Sequence, residues 1–131
     1  MSGKDQMLRY MLKSKIHRAT VTGARLDYEG SLTLDKEFME VADLRPFEQV
    51  KVYNISNGER FDTYIIEGER GSREVCLNGA AARKGCVGDL IIIASYAIYS
   101  NAEIATGRTV VLILGEENTV KDIQYHPWDP Q

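Results

Sequence analysis

The segment Asp89-Leu90-Ile91-Ile92-Ile93-Ala94-Ser95-Tyr96-Ala97 constrains the fold more than any other stretch of the chain. Its consecutive isoleucines are branched at Cβ, which suits a pleated strand and crowds the turn of a helix. A nearly continuous apolar run of this kind is typical of a strand buried on both faces, so it is expected at the centre of a sheet. Shorter β-branched or alternating segments, broken by Gly, Asn and Asp, fill much of the remainder. Residues 15–22, 50–55, 60–66, 109–114 and 120–125 read as strands, the last pair joined as a hairpin by Gly115-Glu116-Glu117-Asn118. Asp35 is placed to cap a helix carrying Phe38, Met39, Val41 and Ala42, ended by Arg45-Pro46. Residues 78–82 suggest a tight turn or one helical turn. The pattern predicts a mainly β domain, barrel or sandwich, with short helices.

The chain has 131 residues, enough for one domain with a real core. Residues 1–6 are polar and are expected to form a flexible extension; the proline-containing tail from His126 onward is expected to be irregular. A formal charge of −3 with no basic stripe argues against a nucleic-acid partner. No apolar run approaches the roughly 20 residues that span a bilayer, and no signal-peptide core opens the chain, so a soluble cytoplasmic protein is expected. Cys76 and Cys86 lack CxxC spacing and read as reduced packing residues. With only His17 and His126 beside them, no metal site is expected.

Chemistry enters at Tyr28-Glu29-Gly30-Ser31. A serine hydroxyl held against the preceding carbonyl can attack it, and glycine at the acyl position leaves the approach open and tolerates an unusual φ. The amide becomes an ester, β-elimination breaks the chain, and the dehydroalanine left behind hydrolyses to a pyruvoyl group. Gly71-Ser72 carries the same dipeptide and reads as an ordinary turn. On the dipeptide alone, a β-barrel binding module with a plain turn at Gly30-Ser31 remains open.

Ser56-Asn57-Gly58-Glu59 carries the Asn-Gly hairpin signal. A two-residue loop there would pair Ile55 with Arg60, Tyr53 with Asp62 and Val52 with Thr63. One face then holds Val50, Val52, Phe61, Thr63 and Ile65; the other holds Lys51, Tyr53, Arg60, Asp62 and Tyr64. The second face combines a guanidinium fork suited to a carboxylate with phenols that can donate protons.

Several segments together resemble the pyruvoyl-dependent aspartate 1-decarboxylase family. They are Lys15-Ile16-His17-Arg18-Ala19-Thr20-Val21-Thr22, Asp27-Tyr28-Glu29-Gly30-Ser31, Gly58-Glu59-Arg60-Phe61-Asp62-Thr63-Tyr64 and Asn78-Gly79-Ala80-Ala81-Ala82-Arg83, followed by Gly88-Asp89. The resemblance runs from Met7 to about Ile123, with Tyr53 where many relatives carry tryptophan. It implies a double-psi β-barrel assembled as a homotetramer with active sites between subunits. It also implies cleavage between Gly30 and Ser31, with Ser31 becoming a covalent pyruvoyl group, and no metal or pyridoxal phosphate. Aspartate would form a Schiff base with that group and lose its α-carboxylate, giving β-alanine for pantothenate and coenzyme A synthesis.

By the same resemblance Lys15 and Arg60 bind substrate carboxylate, and Tyr64 donates the proton. Thr63, Asn78 and Tyr28 would assist processing, and Gly79, Ala80 and Ala81 would line the pocket with backbone. An accessory activator of processing is a further possible partner, and His17 is a secondary candidate. Thr63 sits awkwardly in this scheme. The hairpin register turns it to the core side, away from Arg60, and a bulge or a contribution to a different site would reconcile the two.

Overall fold

The computed structural model describes residues 7–130. In chain order the elements are β1 (Leu8–Thr20), β2 (Gly23–Arg25), β3 (Ser31–Asp35), α1 (Lys36–Val41), β4 (Gln49–Asn54) and β5 (Arg60–Gly68). They continue with β6 (Val75–Asn78), a 3-10 turn (Gly79–Arg83), β7 (Leu90–Ser100), α2 (Asn101–Thr106), β8 (Arg108–Leu114) and β9 (Val120–Pro127). The strands form one nine-stranded sheet in the order β2-β6-β3-β5-β4-β7-β1-β8-β9. Parallel pairs β1/β8, β2/β6 and β3/β5 lie among antiparallel ones, an arrangement consistent with a double-psi β-barrel.

The isoleucine run does form a central strand, flanked by β4 and β1. It is not buried on both faces. Val52, Ile93, Ile16 and Leu112 align across four strands and are all essentially inaccessible, forming the middle of the core. Each such side chain contributes about 1.5–3 kcal/mol by leaving water. On the outer face the strand carries Tyr96 and Ile98, 40% and 51% exposed. That face is left partly open, so the apolar run exceeds what the described residues cover.

The β4/β5 hairpin is slipped by two residues from the expected register: Tyr53 pairs with Arg60, Val52 with Phe61 and Val50 with Thr63. Asn54 causes the slip. Its side-chain oxygen accepts from the backbone N–H groups of Ser56 (2.8 Å) and Asn57 (3.2 Å), drawing residues 55–58 into a longer loop closed by Asn54 N–H to Glu59 O at 2.8 Å. An even slip preserves every side chain's face, so the two expected faces survive.

The Asp35 cap is present. Its carboxylate accepts from Glu37 N–H at 2.8 Å and also from Gly71 N–H (3.1 Å) and Arg73 N–H (2.7 Å), tying α1 to the turn before β6. Helix α2 was not anticipated; it opens on a capping box in which Ser100 accepts from Glu103 N–H and the Glu103 carboxylate accepts from Ser100 N–H at 2.8 Å. The tail is more regular than expected. β9 runs to Pro127, tolerated because this is an edge strand, and the Trp128 indole donates to Leu12 O at 3.0 Å with its ring 4.5 Å from Tyr99. Of the two thiols only Cys76 is buried; Cys86 is exposed and is not a packing residue. The expected extension at residues 1–6 lies outside the described residues.

Candidate active site

Strand β3 lies between β6, antiparallel, and β5, parallel. Ser31 opposes Asn78, while the Leu32–Ile65 pairing puts Ser31 beside Tyr64 just where β3 begins. The first residues of β5 therefore have an open edge on the β3 side, and the 3-10 turn after Asn78 closes the notch. The result is a cavity of about 340 Å³ bordered by Gly30, Phe61, Thr63, Tyr64, Ala80 and Ala81. Thr63 and Tyr64, from opposite faces of β5, both border it. No bulge interrupts the β4/β5 register; the cavity opens at the edge of β5, where residues of both faces reach it.

Ser31 is fully buried and its hydroxyl is held from both sides. It donates to Glu29 O at 3.0 Å and accepts from Asn78 Nδ2 at 3.0 Å. The second Asn78 proton goes to Thr33 Oγ1 at 2.8 Å, and the Cys76 thiol lies 3.3 Å from Asn78 Oδ1. Burial pushes the Cys76 thiol up from its ordinary pKa, so it stays protonated and acts as the donor. That contact fixes which end of the amide faces Ser31. Thr33 and Cys76 were not anticipated. Each stands two residues from an anticipated partner on the same strand, Ser31 or Asn78, and hence on the same face.

The steric requirement for glycine also moves. Gly30 lies outside the left-handed region, and a Cβ added there would come no nearer than 4.0 Å to Ala80 N. Gly79 is the constrained residue: φ is +60°, and an added Cβ would lie 2.6 Å from both Gly30 N and Tyr28 O. Glycine at 79 lets the turn press against the Gly30 backbone. Tyr28 takes part through that carbonyl, while its side chain is half exposed.

Arg60 and Lys15 are not brought to Ser31 within one chain, and neither borders the 340 Å³ cavity. The Arg60 guanidinium stacks 4.3 Å from the Tyr53 ring centre, and the Tyr53 hydroxyl meets that of Tyr96 at 3.2 Å. The hydrogen bond that Tyr96 shares with Tyr53, followed by burial, pushes the Tyr96 phenol up. Tyr53 and Tyr96 border a larger cavity of 510 Å³ with Tyr10, Gln49, Lys51 and Ala94, on the outer face of the sheet. Lys15 lies on that face too, in one row with Lys51 and Ala94. Next to it, burial and then the charges of Lys15 and Arg18 pull His17 below its ordinary pKa.

Residues 7–121 match the family described as Aspartate decarboxylase. The chain belongs to the aspartate decarboxylase family. Relatives named Aspartate 1-decarboxylase include one from Syntrophobacter fumaroxidans, 62% identical over 86% of this chain and 90% of its own length. One from Thermoanaerobacter pseudethanolicus is 58% identical over 86% and 96%, and one from Desulfotalea psychrophila 52% identical over 89% and 98%. The family is one of carboxy-lyases. Among the described residues no cluster of His, Cys, Asp and Glu could hold a metal ion, and no helix is long and apolar enough to cross a membrane.

Proposed function

We propose that this chain removes the α-carboxylate of L-aspartate as CO₂, yielding β-alanine, at a carbonyl made from its own Ser31. Family membership supports the reaction, and one observation carries the mechanism. The buried Ser31 hydroxyl is gripped by Glu29 O and Asn78 Nδ2 beside a cavity that begins at Gly30.

Attack of Ser31 Oγ on the Gly30 carbonyl carbon forms an ester as the C–N bond breaks, and the hydroxyl proton passes to the freed amine. Loss of the Ser31 α-proton then expels the Gly30 carboxylate, and hydrolysis of the resulting dehydroalanine releases ammonia. The pyruvoyl ketone so formed supplies an electron sink for the carbanion that decarboxylation leaves. The surroundings fit that group: the cavity borders the acyl residue, and the close turn at Gly79 and Ala80 offers backbone rather than bulk.

Tyr64, on the strand beside Ser31, delivers the proton to the substrate α-carbon. General-acid catalysis of this kind is worth about 10²- to 10⁴-fold. Thr63, across the cavity from Gly30, assists processing. Arg60 clamps the second carboxylate bidentately, where lysine would offer only a point charge, and Lys15 assists. Because neither borders that cavity in its own chain, both complete the site of a neighbouring copy in a homotetramer. The product would feed pantothenate and coenzyme A synthesis in the cytoplasm.

Denaturing mass measurement of the purified protein tests the mechanism, with β-alanine release followed in parallel. Fragments 1–30 and 31–131 are expected, the second blocked to Edman chemistry. A full-length mass with decarboxylase activity present refutes the self-generated carbonyl.

A further inference from the structure

The geometry points to Phe47 as the positioning residue for Tyr64: a strained loop aromatic whose ring, stacked on the phenol, holds the hydroxyl toward the cavity at Gly30. The inference rests on the role proposed for Tyr64. Phe47 is a costly residue where it stands. Its φ is +70°, in the left-handed region that favours glycine and asparagine, and its side chain is 77% exposed. Neither backbone preference nor core burial in this chain accounts for an aromatic at that point. Strain held by surrounding structure is a mark of functional positions.

The surroundings do hold it. Phe47 N–H donates to Ile65 O at 2.7 Å, and Ile65 N–H donates back to Glu48 O at 3.1 Å, so the loop is laced to the residue next to Tyr64. Glu48 is fixed in turn by Ser95 Oγ at 2.6 Å, Lys13 Nζ at 2.9 Å and Arg45 N–H at 3.1 Å. These bonds set the Phe47 ring 6.1 Å from the Tyr64 ring at 25°, an offset stack. Among the described residues no hydrogen bond anchors the Tyr64 hydroxyl, so packing of its ring sets its aim. A proton donor gains from this. An anchoring hydrogen bond would compete for the proton to be delivered, whereas a ring stack orients the phenol and leaves it free.

The test compares the parent with Phe47→Asn, Phe47→Tyr, Tyr64→Phe and the double variant Phe47→Asn/Tyr64→Phe. Mass, thermal midpoint, size in solution and steady-state β-alanine release are recorded for each. Phe47→Asn should cleave fully, keep its size and melt no lower than the parent, because asparagine relieves the strain. Its kcat should fall about ten-fold with KM for aspartate within about two-fold, the scale of one lost ring stack. Phe47→Tyr, which restores the ring, should keep kcat within about two-fold. In the Tyr64→Phe background the same asparagine change should cost nothing further.

Parent kcat in Phe47→Asn, equal losses in the asparagine and tyrosine variants, or a full additional loss in the double variant overturns the inference. So does a changed oligomer size, which would make Phe47 an assembly contact. A cleaved parent with normal Phe47→Asn turnover refutes this inference alone; a parent that never cleaves yet makes β-alanine removes the mechanism beneath it as well.

Discussion

Gly30-Ser31 and Gly71-Ser72 are the same dipeptide in two different environments. Both serine hydroxyls donate to a nearby backbone carbonyl, Ser31 to Glu29 O at 3.0 Å and Ser72 to Glu69 O at 2.6 Å. Backbone strain alone would single out the second: Gly71 has φ of +83°, while Gly30 lies outside the left-handed region. Surroundings separate them. Ser31 is inaccessible to water and receives a buried amide whose orientation Thr33 and Cys76 fix. Ser72 is exposed, and among the described residues its oxygen accepts only from Glu74 N–H, at 3.2 Å in the same turn. The self-reaction proposed at Ser31 would thus rest less on a distorted turn than on immobilised partners and exclusion of competing water.

The sharpest break in this comparison is Ser31→Ala against Ser72→Ala. The first should stay full length indefinitely and release no β-alanine; the second should cleave after Gly30 like the parent, by mass. Cleavage at Gly71-Ser72 in either would reverse the assignment. Gly79→Ala and Gly71→Ala come next. The new methyl at 79 would drive into Gly30 N and Tyr28 O, so cleavage should slow at least a hundred-fold even where the protein still folds. At 71 nothing lies within 4 Å, so the expected cost is about 1 kcal/mol of stability with normal processing.

Asn78→Ala and Cys76→Ala probe the amide. Removing Asn78 strips a donor from two hydroxyls and should slow cleavage more than ten-fold. Cys76→Ala should slow it a few-fold by freeing the amide to rotate, with Cys76→Ser restoring the rate. A cleavage half-time in Cys76→Ala equal to the parent's would remove the thiol from the relay. The smallest effect belongs to the other turn. Arg70 pairs with Glu40 through two bonds of 2.6 Å at the surface, both side chains about half exposed, and the hydrogen bonds from Arg70 hold the Glu40 carboxyl below its ordinary pKa. Its contribution is present above the ordinary carboxylate pKa and fades as pH falls through the lowered one. Arg70→Ala should shift the thermal midpoint by about a degree or two at neutral pH, less in high salt and not at all in strong acid, with cleavage unchanged.

Local chemistry was legible in the sequence, and long-range geometry was not. Asp35 announced α1 because a cap acts within a few residues, and the strand periods placed most of the sheet. The hairpin register failed because Asn57-Gly58 advertised a tight turn, while Asn54, three residues earlier, captured the loop with its own side chain. The faces of β5 were read correctly from alternation, yet Thr63 and Tyr64 share a cavity because β3 begins late and leaves an edge open. No periodicity encodes that stagger. Arg60 and Lys15 were expected with Ser31 at a site between subunits; within one chain neither borders the Gly30 cavity, and strand periodicity carries no information on that separation.

The place of β1 in the sheet has a lasting consequence for a chain cut after Gly30. That strand is laced on one side to β7 and on the other to β8, so β1 would remain an internal plank of the structure once the covalent link was gone. Before the cut, unfolding and refolding belong to one molecule; afterwards, recovery requires two polypeptides to find each other. Dilution then acts as a denaturant of memory. A chain cut after Gly30, once fully unfolded, would regain its form at a speed set by concentration, whereas the uncut chain would need no second polypeptide to restore β1 to the sheet.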